Sequence, residues 1–268
     1  MSAFVRATAV EPLGDGAWGA TCDGGWSTQV GVNGGFLAAV ILRAMMAGLD
    51  DERRQPRALT CHYLRPPAEG DVRVDVTVER SGRSLSTLTA RVTQDGRLCV
   101  VALAAFAVDL DGALDYGGTP PATPGPDEVQ RMAPVAIVPM TAQFEMRPTF
   151  GAPLFAGADV ALSGGWLRFA DPHPLDAPAL AMYADAWWPS PLPRLTRPAA
   201  APTVDLTVHF RAPAAAAAIG ADEPLLAVFR SSTSAHGFFE EDGELWSRDG
   251  VLLAQSRQLA LLLAEGAT

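Results

Sequence analysis

Two stretches of the chain, LTCHYLRP at residues 59–66 and LTVHFRAP at residues 206–213, carry nearly the same pattern. A second pair, QDGRL at residues 94–98 and RDGVL at residues 248–252, follows them in the same order. The offset is 147 residues for the first pair, from 59 to 206, and 154 for the second, from 94 to 248. Because a small drift of this kind is what loop insertions produce, the sequence predicts an internal duplication.

A proline-rich segment separates the two copies. Between residues 109 and 140 the hydrophobic periodicity is lost, and the centre of the segment reads DYGGTPPATPGPDE. This composition is typical of a linker or a long crossover. We therefore expect an N-terminal repeat over residues 1–108, a linker over 109–140 and a C-terminal repeat over 141–268.

Each half begins with an apolar helix and continues with strands. Residues 33–46, NGGFLAAVILRAMM, are mostly apolar behind an Asn at the N-cap position, which predicts a helix buried nearly all round. Apolar or alternating runs predict the strands that follow, with a turn at residues 95–96 inside the third. The strands are expected at residues 58–64, 71–81 and 84–108 in the first half, and at 204–210, 225–230, 238–246 and 251–263 after a helix over 177–188 in the second. One apolar helix followed by antiparallel strands, twice over, predicts an α+β fold in which a curved sheet wraps around a central helix in each repeat.

The composition excludes several classes of protein. The 268 residues include 30 acidic and 20 basic side chains, and 49% of them are hydrophobic. A disordered chain and a nucleic-acid partner are therefore disfavoured. All basic residues are arginine, so Schiff-base enzymes, pyridoxal-phosphate enzymes and P-loop nucleotidases lack the amine that their chemistry needs. The sequence also lacks the G-x-S-x-G elbow of an α/β-hydrolase.

Other signals are weak, and we expect no metal, no cofactor and no membrane partner. Cys22, Cys61 and Cys99 are odd in number and far apart, which favours reduced thiols in the cytoplasm. The histidines show no metal-ligand spacing on one element. We expect no leader, because no apolar stretch follows a basic start at the N-terminus, and the longest uncharged apolar run, residues 98–108, is too short to span a bilayer. Residues 14–19, GDGAWG, fit a dinucleotide-binding pattern only formally and predict a hairpin turn.

Several short motifs nevertheless occur in the order seen in one known family. They are LTCHYLRP in the first half, and Tyr183-Ala184-Asp185, Thr203-Val204-Asp205 and DGVLLAQSRQ (249–258) in the second. In order and spacing, over nearly the whole chain apart from the linker, the sequence resembles the double hotdog acyl-CoA thioesterases of type II. The resemblance implies a double hotdog fold and hydrolysis of fatty acyl-CoA to free fatty acid and coenzyme A without a cofactor.

The resemblance also implies the catalytic residues. Asp185, Thr203 and Gln258 match the family's Asp, Thr and Gln, which together hold a water, and Asp185 would act as general base. The neighbours of Asp185 in the sequence are apolar. Burying its carboxylate there would cost several kcal/mol of desolvation unless it had hydrogen-bond partners or lay on a solvent-exposed side of the helix.

Period-two alternation places Gln258 among small residues on its strand, and it places Thr203 on a face with Asp205, Thr207 and His209. Solvent-facing roles for Gln258 and Thr203 are the alternatives.

Further residues are predicted to bind the substrate. The backbone N–H groups of Gly34 and Gly35, at the start of the first helix, are candidate oxyanion donors. Phe36 and Trp187 are expected to line a pocket for the acyl chain, and arginines are expected to meet the coenzyme's phosphates. In the first half the positions aligned with Thr203 and Gln258 are occupied by other residues, Pro56 and Ala104, so one active site per chain is expected, in the second half.

Two alternative functions remain at this stage. A hotdog enoyl-CoA hydratase or dehydratase would use an Asp and a His, and Asp205 and His209 share one face of a strand. A non-catalytic acyl-CoA-binding protein would use the same pocket without chemistry. We also expect a homo-oligomer, because the edges of such sheets need covering.

Overall fold

The computed structural model describes residues 1–264. It contains four α-helices within that range, Ala3–Ala7 (α1), Gly34–Leu49 (α2), Ala177–Tyr183 (α3) and Pro213–Ala217 (α4). The strands of the first half are Glu11–Gly14 (β1), Ala17–Cys22 (β2), Gln55–Tyr63 (β3), Gly70–Ser81 (β4), Leu85–Gln94 (β5) and Arg97–Ala107 (β6). Those of the second half are Phe144–Phe150 (β7), Ala161–Phe169 (β8), Ala199–Ala200 (β9), Thr203–Phe210 (β10), Leu225–Ser231 (β11), Ser234–Ala235 (β12), Phe238–Trp246 (β13), Leu252–Leu261 (β14) and Leu263–Ala264 (β15).

The main sheet confirms the internal duplication. Its 13 antiparallel strands run in the order β1-β2-β4-β5-β6-β3-β10-β14-β13-β11-β8-β7, with β12 paired to β13. When the strands of the first half are matched with those of the second, this order reads the same from both ends. Strands β3 and β10 join the halves at the centre, where the hydroxyl oxygens of Thr60 and Thr207 lie 2.9 Å apart. The predicted α+β arrangement, twice over, is the observed one.

The two central helices meet on the inner side of this sheet. Asn33 caps α2 by accepting a hydrogen bond from the Phe36 N–H at 3.0 Å, and Phe36 itself is fully buried. At Gly35 the helices come so close that a Cβ would lie 2.8 Å from the carbonyl oxygen of Met182 on α3. Only glycine permits this approach, and it brings the start of α2 to the end of α3.

The second helix is shorter than predicted. It ends at Tyr183, whereas the apolar pattern predicted a helix over residues 177–188. Pro189 has no N–H with which to reach the carbonyl of Asp185 in the helical pattern, and the side-chain amide of Asn33 donates to that carbonyl instead, at 2.9 Å. Asp185 and Trp187 therefore follow the helix and do not lie on it.

The first hairpin was predicted only as a turn, and the counterpart hairpin in the second half was not predicted. Within residues 14–19, Asp15 and Gly16 form the turn between β1 and β2, at positive φ of 51° and 74°. In β8, Gly164 and Gly165 have φ values of 145° and 152°, and a Cβ at Gly164 would lie 2.2 Å from the Ala227 carbonyl oxygen. Glycines are unfavourable inside a strand, so this strand was not predicted. Here they are required because the backbone of the neighbouring strands lies too close for a side chain.

The proline-rich segment packs against the outer face of the second half. The indole of Trp166 donates to the carbonyl oxygen of Pro124 at 2.8 Å. Trp166 also forms a second apolar cluster with Leu226, Val228 and Trp246 on that face. The boundaries of the two repeats at residues 108 and 141 stay a prediction.

Candidate active site

Asp185 lies where the two central helices meet. Its Oδ2 accepts hydrogen bonds from the Gly35 N–H at 2.9 Å and from the Asn33 side-chain amide at 3.0 Å. The residue is partly buried, so solvent still reaches part of its surface. Burial raises the pKa of Asp185 from 3.8 to about 6, although the hydrogen bonds from Gly35 and Asn33 act in the opposite direction. Asp185 is thus a carboxylate that is held in place by donors of the first repeat.

Thr203 and Gln258 are brought into direct contact. The Thr203 hydroxyl donates to Oε1 of Gln258 at 2.9 Å, and Gln258 is buried on the inner face of β14 opposite Leu206. The predicted face of Gln258 is therefore confirmed. The prediction that Thr203 shares a face with Asp205 is wrong, because the strand register shifts between these two residues and turns the Thr203 side chain toward Gln258.

A second buried carboxylate, Glu241, was not predicted. Its side chain is only 3% exposed; Oε1 accepts from the Gln258 amide at 2.7 Å and Oε2 accepts from the Ser190 N–H at 2.5 Å. Burial, together with the nearby negative charge of Asp185, raises the pKa of Glu241 to about 7. The sequence EED at residues 240–242 looks like a solvated acidic run. Period-two alternation with the buried Phe239 and Leu245 was the available signal for its inward direction.

The two groups of side chains draw on both repeats, and Asp185 is close enough to Glu241 for its charge to act on that carboxylate. The first repeat supplies Asn33 and Gly35, and the second supplies Asp185 together with the polar chain from Thr203 through Gln258 to Glu241. Ser190, which binds Glu241, follows Asp185 by only five residues, so one short segment connects the two parts of the site.

The four residues predicted to bind the substrate lie in different environments from one another. The Gly35 N–H, a candidate oxyanion donor, already donates to Asp185, while the Gly34 carbonyl accepts from the Tyr63 hydroxyl at 2.8 Å. Phe36 stacks on Trp26 in the core, with ring centroids 5.7 Å apart. Trp187 is buried, and within residues 1–264 its indole N–H has no hydrogen-bond partner.

The Asp–His pair of the hydratase alternative lies elsewhere. Asp205 and His209 alternate with the buried Leu206 and Val208, so they lie on the outer face of the sheet, where His209 is exposed. Nothing in this arrangement directs that pair toward Asp185, because the sheet lies between them.

Cys61 is not an activated nucleophile. Burial raises the pKa of its thiol to about 12, so the thiol stays protonated at neutral pH. Within the described part of the chain, no group of three or more His, Cys, Asp or Glu side chains could hold a metal ion. In the same part, no helix is long and apolar enough to cross a membrane.

Comparison with protein families agrees with this division into two repeats. Residues 22–107 match the model of an acyl-CoA thioesterase N-terminal domain, and residues 117–262 match that of an acyl-CoA thioesterase C-terminal domain. The chain belongs to the acyl-CoA thioesterase family. The resemblance inferred from the sequence motifs is thereby confirmed.

Solved structures and curated proteins are similar over almost the full length. A hotdog-fold protein of unknown function from Alicyclobacillus acidocaldarius is 31% identical, with a TM-score of 0.92 over 98% of this chain and 99% of that one. A putative thioesterase II from Thermobifida fusca is 25% identical, with a TM-score of 0.83 over 98% of each chain. An uncharacterized protein of Mycobacterium tuberculosis is 26% identical over 98% of this chain and 99% of its own. The double hotdog α+β fold predicted for this thioesterase-family chain is confirmed.

Proposed function

We propose that the protein hydrolyses fatty acyl-CoA to a free fatty acid and coenzyme A, with Asp185 as general base. The observation that carries the proposal is the Asp185 carboxylate, which is partly buried, has a raised pKa and is held by Asn33 and Gly35. A base whose pKa lies near the working pH is suited to proton transfer. Membership of the acyl-CoA thioesterase family supports the reaction class.

The proposed reaction needs only a water and these side chains. Asp185 takes a proton from the water, and the water oxygen attacks the thioester carbonyl carbon in the same step. Collapse of the resulting oxyanion breaks the carbon–sulfur bond, and the leaving thiolate takes the proton. Thr203 and Gln258 orient the water. The Gln258 amide has two N–H donors, of which one donates to Glu241 and the other can donate to the water.

The oxyanion requires a donor, and we propose the Gly35 N–H. In the structure this N–H donates to Asp185. Once Asp185 has taken the proton from water it is a weaker acceptor, so the N–H becomes available to the oxyanion formed in the same step. Gly34 would keep the backbone slender at this position. Trp187, whose indole N–H has no hydrogen-bond partner in the described part of the chain, is proposed to line the acyl pocket together with Phe36. The cytoplasmic location and the homo-oligomer stay predictions.

Thiol release tests the proposal. We expect the wild-type protein to release free coenzyme A from a panel of saturated acyl-CoAs of rising chain length, followed with a disulfide reagent. Parallel samples of 2-enoyl-CoA should keep their enoyl absorbance apart from slow hydrolysis. Loss of that absorbance without thiol release would favour the hydratase alternative. Tight binding of acyl-CoA without either reaction would favour the non-catalytic binding protein.

The pH dependence provides an independent test of the base. Because the pKa of Asp185 is raised to about 6, and only the ionised carboxylate accepts a proton, kcat/KM should fall about tenfold per pH unit below pH 6. Above that value it should level off. The profile is measured between pH 4.5 and 8.5 on a short-chain acyl-CoA. An acidic limb near the ordinary Asp value of about 4 would contradict the assigned environment of the base.

A further inference from the structure

We infer that Glu241 is a positioning residue that fixes the orientation of the Gln258 side-chain amide in the active site. The inference rests on the proposed function, because it assumes that Gln258 takes part in thioester hydrolysis. Glu241 contacts Gln258 and Ser190, and it touches neither the base nor the water in the proposed reaction. It acts through the amide that it holds.

The orientation follows from donor and acceptor chemistry. An ionised carboxylate can only accept hydrogen bonds, so Glu241 requires the NH₂ end of Gln258 at 2.7 Å. The amide oxygen must then face the other way, where the Thr203 hydroxyl donates to it at 2.9 Å. The carboxylate is also held at its far end by the Ser190 N–H. Above the pKa of Glu241, about 7, the ionised carboxylate has no donor to present, and the amide then has one orientation.

The duplicated fold provides an internal comparison. In the second repeat, Gln258 pairs with Leu206 on one side and with Glu241 on the other. The matching position in the first repeat is Ala104, which pairs with Leu59 and with Leu88. Leu88 is fully buried and apolar. The same place in the fold is thus filled by leucine where the amide is absent and by glutamate where the amide is present.

The burial of Glu241 supports a role beyond packing. A carboxylate removed from water destabilises the fold unless its hydrogen bonds compensate, and the first repeat shows that leucine fits the same backbone position. Both oxygens of Glu241 are used, one on the catalytic amide and one on the segment that follows Asp185. Glu241 thereby connects the segment of the base to the residue that orients the water.

The test begins with Glu241→Gln. A glutamine at position 241 has only one acceptor oxygen. If that oxygen faces Gln258, its NH₂ group meets the Ser190 N–H donor to donor; if it faces Ser190, the Gln258 amide must turn over. We expect kcat to fall by about tenfold or more while KM changes by less than about threefold. The melting temperature should stay within a few degrees of wild type. The control is Asp242→Asn, the next residue on the strand, which faces outward in an exposed pair with Arg257 and should leave kcat unchanged.

A double-mutant cycle separates positioning from a general structural effect. In the Gln258→Ala background, Glu241→Gln should lower kcat by less than about twofold, since there is no amide left to orient. An equal loss in both backgrounds would overturn the inference.

A readout without catalysis keeps the two proposals distinguishable. The side-chain NH₂ of Gln258 is followed by ¹H–¹⁵N NMR and assigned by its absence in Gln258→Ala. We expect one of its protons to be shifted strongly downfield by the carboxylate in wild type and to lose that shift in Glu241→Gln. An unchanged resonance would overturn the inference even if the enzyme is active. If wild type cleaves no acyl-CoA, the proposed function fails, while this resonance still decides whether Glu241 sets the amide.

Discussion

Replacing Asp185 with Asn is expected to lower kcat for acyl-CoA hydrolysis by at least about 100-fold, the lower end of what a general base contributes. An Asn keeps the size of the side chain and can still accept from the Gly35 N–H, but it cannot take a proton from water. Binding of substrate should change little. The measurement is thiol release under saturating short-chain acyl-CoA, with the melting temperature recorded for each protein.

The matched control is Asp205→Asn. Asp205 is also a half-buried aspartate of the second repeat, but it lies on the outer face of β10. This variant should retain kcat within about threefold, because no catalytic group is removed. If Asp205→Asn is inactive while Asp185→Asn still releases thiol, the base has been assigned to the wrong carboxylate.

Although Asp185→Asn is expected to lower kcat, it is not expected to lower the stability of the fold at alkaline pH. The folded state raises the pKa of Asp185 from 3.8 to about 6, so it binds the proton more tightly than the unfolded chain does. Stability is therefore lost as the pH rises from about 4 to 6 and the unfolded chain ionises first. We expect Asp185→Asn to melt no lower than wild type at pH 8.

Replacing Gly35 with Ala is expected to damage both stability and activity. The new Cβ would lie 2.8 Å from the Met182 carbonyl oxygen and 2.9 Å from the Asp185 Cβ. Neither α3 nor the base can keep its place against that contact. Overpacking of this kind costs about 1–3 kcal/mol, which corresponds to roughly 2–5 °C in melting temperature for a chain of this size. Because Asp185 itself must move, kcat should fall by at least about tenfold.

Gly48→Ala, on the same helix, is the control for Gly35→Ala. Gly48 is exposed, and the nearest atom to its added Cβ is a methyl group of Val76 at 3.3 Å. Since alanine is favoured over glycine in helices by about 1 kcal/mol, this variant should melt at or slightly above the wild-type temperature with full activity. If the two variants behave alike, the close approach of the helices does not place the base.

Much of the fold was predictable because the repeat and the alternation are local properties of the sequence. The apolar helix behind Asn33 and the strands around residues 59 and 206 were located in this way. The hairpin containing Gly164 and Gly165 was not predicted, because these glycines are required by the close approach of backbone from other strands, which the local sequence does not show. The end of the helix before Asp185 was also missed, because a side chain from the other repeat takes over the carbonyl there.

The sequence by itself determined the duplication, the fold class and the family, because these depend on patterns that recur along one chain. It also indicated Asp185, Thr203 and Gln258 by resemblance, without the partners of any of them. Only the tertiary structure decided which donors hold the base, which way Thr203 turns and that Glu241 is buried. Each of those depends on contacts across strands or between repeats. A register shift or a close helix approach changes such contacts without leaving a mark in the local sequence.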